Sequence, residues 1–153
     1  MKKFRGKRRY FRMMWAQIAE THIDTSDDSW YAFSHIHLDF SGYGIHSGKL
    51  RRQHVKGHLA LLDKVVEQFE QSDKPYQAWI NFNETHPEYD AVHMHTANPY
   101  DAFPFNADEA VETTELPILY RDLIDCSKYR IVRTESYGQI VYSLQLKGKG
   151  LAI

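Results

Sequence analysis

The most unusual feature of this chain is a set of histidines that could bind a metal ion. His35 and His37 stand two residues apart, Asp39 follows at the same spacing, and His54 and His58 are separated by four residues. Neutral imidazole nitrogens and carboxylate oxygens are the ligands that suit zinc, iron, nickel or manganese. This stretch therefore predicts a metal site, provided that the fold brings these side chains together.

A second pair of histidines, His93 and His95, repeats the spacing of two. In an extended strand, side chains two residues apart share a face, so each pair points to one side of its strand. A divalent transition metal, with zinc as the first expectation, is the predicted cofactor. The full set of predicted ligands is His35, His37, Asp39, His54, His58, His93 and His95.

Residues 30–40 are predicted to form the strand that carries the first pair. Apolar and polar side chains alternate strictly there, which predicts Ile36 and Leu38 buried and the histidines on the opposite face. The apolar spacing is also compatible with a helix capped by Asp28 or Ser29, and a helix would separate the histidines.

A long helix is predicted from Gly48 to Gln71, ending before Pro75. His54 and His58 lie on or beside its apolar stripe, not on its basic face, which carries Arg51, Arg52 and Lys56. Because a short glycine-containing turn joins this helix to the predicted strand, the histidines of the two elements can meet.

The whole chain, residues 1–153, is predicted to be a single α+β domain. Two long helices and one short helix pack on a largely antiparallel sheet of about five strands, with a basic N-terminal arm at about 1–8 and a loose tail at about 147–153. The other predicted helices cover about 8–20 and 117–125, the other strands cover about 76–82, 89–96, 129–134 and 139–146, and residues 107–116 are a short edge strand or a loop.

The first helix combines an apolar face with a basic one. Phe11, Met14, Trp15 and Ile18 have the spacing of a core-facing stripe. Residues 1–56 carry 11 Lys and Arg against 5 Asp and Glu, although the formal net charge of the chain is −1. This excess predicts either a solvated basic surface or contacts to an acidic protein or nucleic acid. The predicted polyanion-binding residues are Arg8, Arg9 and Arg12.

Cys126 is the only cysteine, which excludes an intrachain disulfide. The neighbouring sequence supplies neither a base nor a group that would lower the thiol pKa, so Cys126 is predicted to be a buried structural thiol. The chain has no convincing signal peptide and no apolar run of the roughly 18 residues that a membrane span needs. The expected location is the cytoplasm, without membrane association.

One short resemblance, of five residues, involves the first of these histidine pairs. The run from His35 to Asp39 resembles the opening of the His-x-His-x-Asp-His motif of the metallo-β-lactamase family. Phe40 stands where that motif has its last histidine, so no family is assigned.

Two functions from different classes follow. The first is a metal-dependent hydrolase of a phosphoester or amide, in which three protein ligands leave a position for water and a spare histidine is the acid or base. The alternative is a non-catalytic interaction protein that binds an acidic protein or nucleic acid through its basic N-terminal third. Elemental analysis of the purified protein discriminates between them.

Overall fold

The computed structural model of the protein describes most of the chain. The bounds of helices and strands given below refer to that part, and the predicted ligand Asp39 lies outside it. The described residues are 7–24, 34–38, 48–72, 75–95, 104–105 and 107–150.

The fold is an antiparallel sheet packed with helices, which confirms the predicted α+β class. The described elements are α1 (Lys7–Glu20), β1 (Ser34–Ile36), α2 (Gly48–Glu70), β2 (Gln77–Asn83), β3 (Ala91–His95), β4 (Ala110–Glu112), α3 (Ile118–Arg121), β5 (Tyr129–Ser136) and β6 (Gln139–Leu146), with 3-10 turns at Pro87–Tyr89 and Cys126–Lys128. The strands lie in the order β1-β3-β2-β6-β5-β4. Within the described residues the sheet has six strands instead of about five, because β4, for which the sequence was compatible with a strand or a loop, pairs with β5 at the edge.

The hairpin of β5 and β6 is tighter than its sequence predicted. Tyr137 and Gly138 form its turn with φ values of 51° and 75°. Two central residues at positive φ are the pattern of a type I′ turn, whose twist matches that of the flanking strands. The strands therefore continue to Ser136 and from Gln139, where a four-residue loop was expected.

The predicted strand over 30–40 is confirmed only at its centre. Ser34–Ile36 pairs with β3, and His35 is the cross-strand partner of His93. Leu38 is buried as predicted, but residues 37 and 38 are no longer strand and Ile36 is half-buried. Residues 30–33 and 39–40 lie outside the described residues.

The main core lies between α1, α2 and one face of the sheet. Met14 and Ile18 of α1 are buried as predicted, but Trp15 is 38% exposed, so its assignment to the core was wrong. Consecutive residues differ by about 100° around a helix, which turns Trp15 from Met14 toward solvent. The strand residues in this core include Ala78, Ile80, Phe82, Val92, Met94, Ile131 and Leu144.

Candidate metal centre

Two side chains of α2 and that of the residue just before β3 form a buried group of metal-ligand type. One ring nitrogen each of His54 and His58 and one carboxylate oxygen of Asp90 lie within 4.8 Å of one another. Their residues are 1%, 0% and 1% exposed. Within the described ranges this is the one such group of three, and we call it the buried trio.

The positions of these residues follow from the two elements that carry them. Residues four apart lie on one face of a helix, and the rings of His54 and His58 are in edge contact at 4.4 Å. The ring of His58 also lies 6.3 Å from that of Phe82, on the core face of β2. Asp90 immediately precedes β3, which is the neighbour of β2 in the sheet.

Backbone carbonyls determine the tautomers of both histidines. Nε2–H of His54 donates to the carbonyl of Leu38 at 2.9 Å, so Nδ1 carries the lone pair. Nδ1–H of His58 donates to the carbonyl of His54 at 3.0 Å, so Nε2 carries the lone pair. That Nε2 is buried and makes no hydrogen bond within the described residues. Each imidazole thus offers one nitrogen in the form that a metal ion requires.

The carboxylate of Asp90 is held on both oxygens. Oδ1 accepts the backbone N–H of Asn83 at 2.7 Å. Oδ2 is in an ion pair with Arg51 and lies 3.7 Å from Nδ1 of His54. The guanidinium of Arg51 therefore contacts both the carboxylate and the lone-pair nitrogen of His54.

Arg51 is the buried cation of the site, although its sequence pattern assigned it to the basic face of the long helix. The residue is 3% exposed. Its Nη1 lies 3.3 Å from Nδ1 of His54, and its Nη2 donates to the hydroxyl of Tyr120 at 2.6 Å. The guanidinium also lies over the rings of Phe82 and Tyr120, at 5.9 and 5.5 Å. Such a contact favours a desolvated cation.

Burial sets the protonation of the trio. It lowers the pKa of His54 to about 4 and the pKa of His58 well below its ordinary value, because a buried imidazolium loses its hydration. Burial also raises the pKa of Asp90 to about 7, while the guanidinium of Arg51 and the N–H of Asn83 oppose that rise. Both imidazoles are therefore neutral at pH 7 and keep their lone pairs.

His37 connects the trio with solvent. Its side chain is exposed, and its Nδ1–H donates to the backbone carbonyl of Asp90 at 2.8 Å. It also lines a cleft of 740 Å³ between α1 and the residues that follow β1, as does Leu38. Since Leu38 binds His54 through its carbonyl, the wall of this cleft is in contact with the buried trio.

Three other predicted ligands, His35, His93 and His95, lie on the other face of the sheet. The rings of His35 and His93 are 5.8 Å apart, and His93 stacks on Trp79 at 5.5 Å. His95 is in edge contact with the same indole. Because alternate residues of a strand point to opposite faces, these three histidines do not join the buried trio.

Sequence reasoning thus found two of the three side chains and missed the carboxylate. Asp90 lies near the start of the predicted strand over 89–96, 32 residues after His58. Its one local signal was that this strand also carries His93 and His95. The structure brings His54 and His58 together with Asp90 and places His37 beside them.

Comparison with protein-family models, with curated proteins and with solved structures found no match. In the part of the chain that the structure describes, no helix combines the length and apolar character required to cross a membrane.

Proposed function

We propose that this protein binds a divalent transition metal ion, zinc in the first instance, through His54, His58 and Asp90. The observation that carries the proposal is the pair of tautomers set by backbone carbonyls. Histidines that ligate metals almost always donate their other ring N–H to a carbonyl or carboxylate. Here both buried imidazoles do so, and a carboxylate lies beside them.

The spacing of the ligand atoms supports the proposal. Ligands about 2.1 Å from a tetrahedral zinc ion are about 3.4 Å apart. Nδ1 of His54 and Oδ2 of Asp90 are 3.7 Å apart, so a small adjustment suffices for that pair. His58 lies on the same helix one turn later and has its lone pair on the nitrogen that makes no described hydrogen bond.

Arg51 is the group that a metal ion must displace. Its guanidinium contacts both the carboxylate of Asp90 and Nδ1 of His54. A metal ion bound between the carboxylate of Asp90 and Nδ1 of His54 would replace Arg51 as the positive charge next to that carboxylate. The bond from Arg51 to the hydroxyl of Tyr120 offers the guanidinium a second anchor when it moves away.

The burial of the trio favours a bound ion that stabilises the fold. All three residues are at most 1% exposed, so the described site presents no face to a substrate. Hydrolase activity stays a prediction from the sequence. The metal-binding proposal does not depend on it.

The test measures metal content and metal-dependent stability. We expect protein purified without chelator to contain zinc in near-stoichiometric amount, and a chelator to lower its melting temperature, because an ion bound to the native state alone stabilises that state. Asp90→Asn keeps the shape of the side chain and removes the anionic ligand. It should lower zinc affinity, measured by competition with a chromophoric chelator, by at least about tenfold.

His93→Gln is the matched control, since it removes a histidine on the other face of the sheet. It should retain the zinc affinity of the parent. A parent protein that is metal-free and whose melting temperature does not change with zinc, nickel or manganese would contradict the proposal. So would equal zinc affinity in the parent and Asp90→Asn.

A further inference from the structure

The outward side of α1 has an unusual combination of side chains. Arg8, Arg9 and Arg12 are all exposed. At about 100° per residue, the three arginines occupy a sector of about 100° on the helix. Trp15 lies at the edge of this sector, one turn after Arg12 and two turns after Arg8, and is 38% exposed. We call these four residues the arginine–tryptophan face.

The arginines of this face form no salt bridge within the described residues. The described salt bridges of arginine pair Arg51, Arg52, Arg130 and Arg133 with carboxylates, and none involves α1. The first turn of α1 has no acidic residue. The sequence before the helix adds further basic residues, Lys2, Lys3 and Arg5. The face therefore combines a concentrated positive charge with a partly exposed indole.

We propose that the arginine–tryptophan face binds single-stranded nucleic acid. Arginines bind phosphates and release their counterions, and an aromatic ring beside them stacks on an unpaired base. The face meets both requirements on two turns of one helix. This surface is separate from the buried trio, so the inference stands independently of metal binding.

Two other polyanions fit the face less well. A helix that lies on an anionic membrane inserts a continuous apolar side, but the continuous apolar side of α1, with Met14 and Ile18, is buried in the core. An acidic peptide would use the charges but gives the indole of Trp15 no ring to stack on. A nucleic acid strand uses both components.

The test begins with binding of a labelled oligothymidylate to the full chain, followed by fluorescence anisotropy over a range of salt concentrations. Each neutralised phosphate of a single strand contributes about −0.7 to the slope of log affinity against log salt. The triple variant Arg8→Ala/Arg9→Ala/Arg12→Ala should therefore flatten the slope by about 2 and weaken binding at low salt. Lys128→Ala/Lys147→Ala/Lys149→Ala removes three exposed charges outside α1 and should change neither.

Trp15→Leu tests the stacking component separately. It should lower affinity for oligothymidylate at least about fivefold and abolish quenching of tryptophan fluorescence, but leave binding of inorganic polyphosphate unchanged. Since Trp15 is partly exposed, the melting temperature of the Trp15→Leu variant should stay near that of the parent.

Three outcomes would overturn the inference. They are no oligothymidylate binding by the parent at low salt, equal binding by the triple arginine variant, and an unchanged response in Trp15→Leu. Binding to anionic vesicles or an acidic peptide in preference to oligothymidylate would likewise assign the face to another partner.

Discussion

At the scale of single residues, Arg51 decides the state of the buried trio. It is the cation that accompanies the buried carboxylate of Asp90, and a metal ion at the trio would replace it. Removing one partner of a buried ion pair generally costs about 3–5 kcal/mol, because the remaining charge is uncompensated. A bound metal ion can supply that missing charge.

Arg51→Met should therefore destabilise the metal-free protein by roughly 3–5 kcal/mol. Zinc should raise the free energy of unfolding of this variant by more than it raises that of the parent. The measurement is urea denaturation with and without zinc. Arg52→Met is the neighbouring control, since Arg52 is in a largely exposed pair with Asp122 at 3.6 Å and should cost at most about 1 kcal/mol. A zinc response in Arg51→Met no larger than that of the parent would show that the trio is only an ion-pair network.

At the scale of elements, Gly57 is where α1, α2 and the segment after β1 meet. A Cβ at this position would lie 2.8 Å from Cδ1 of Leu38 and 3.1 Å from Cε of Met14. The missing side chain thus permits a close approach in the middle of a helix, where glycine otherwise costs about 1 kcal/mol relative to alanine. Because Leu38 accepts the hydrogen bond from His54, this contact also supports the trio.

Gly57→Val should destabilise the protein by about 1–3 kcal/mol, since a branched side chain must displace both Leu38 and Met14. Gly57→Ala should cost less stability, because its methyl group displaces Leu38 and Met14 by a smaller distance. The higher helix propensity of alanine also offsets part of that cost. Lys56→Val introduces valine on the exposed side of α2 and so controls for the low helix propensity of valine. Chemical denaturation measures all three, and equal stability of Gly57→Val and Lys56→Val would refute the packing argument.

At the scale of the whole molecule, buried histidines couple folding to pH. Burial lowers the pKa of His54 and His93 to about 4 each, with the charges of His35 and His37 adding to the effect on His93, and lowers the pKa of His58 well below its usual range. Between pH of about 4 and 6.5 the unfolded chain binds protons at these sites that the native protein does not.

Stability of the metal-free protein should therefore fall as pH decreases from about 7 to about 5, by up to about 1.4 kcal/mol per pH unit for each such histidine. Asp90 changes stability in the opposite direction, because its raised pKa keeps a proton on the native state over this pH range. This one group offsets only part of the effect of the three histidines. Denaturation in chelator at several pH values measures the slope. His93→Gln should flatten it and His22→Gln, at an exposed position, should not. Stability that is constant or rises over this range would contradict the assignment.

Local periodicity in the sequence determined most elements of the fold. The apolar stripes of α1 and α2 and the alternation in β2, β3, β5 and β6 are properties of neighbouring residues, so these elements were predicted nearly to their observed bounds. The inward direction of His54 and His58 followed from the same periodicity. The edge strand β4 was left open because three residues carry too little pattern.

Only the tertiary structure decided which groups meet. His35 and His93 were predicted on strand faces, but the face that each strand turns toward α2 depends on sheet order and register, which are long-range. Asp90 and Arg51 are 39 residues apart in the sequence. They pair only because β3 lies beside β2 in the sheet and α2 packs against these strands. The sequence alone could thus nominate the histidines of α2, but their carboxylate partner and the competing guanidinium are consequences of chain packing.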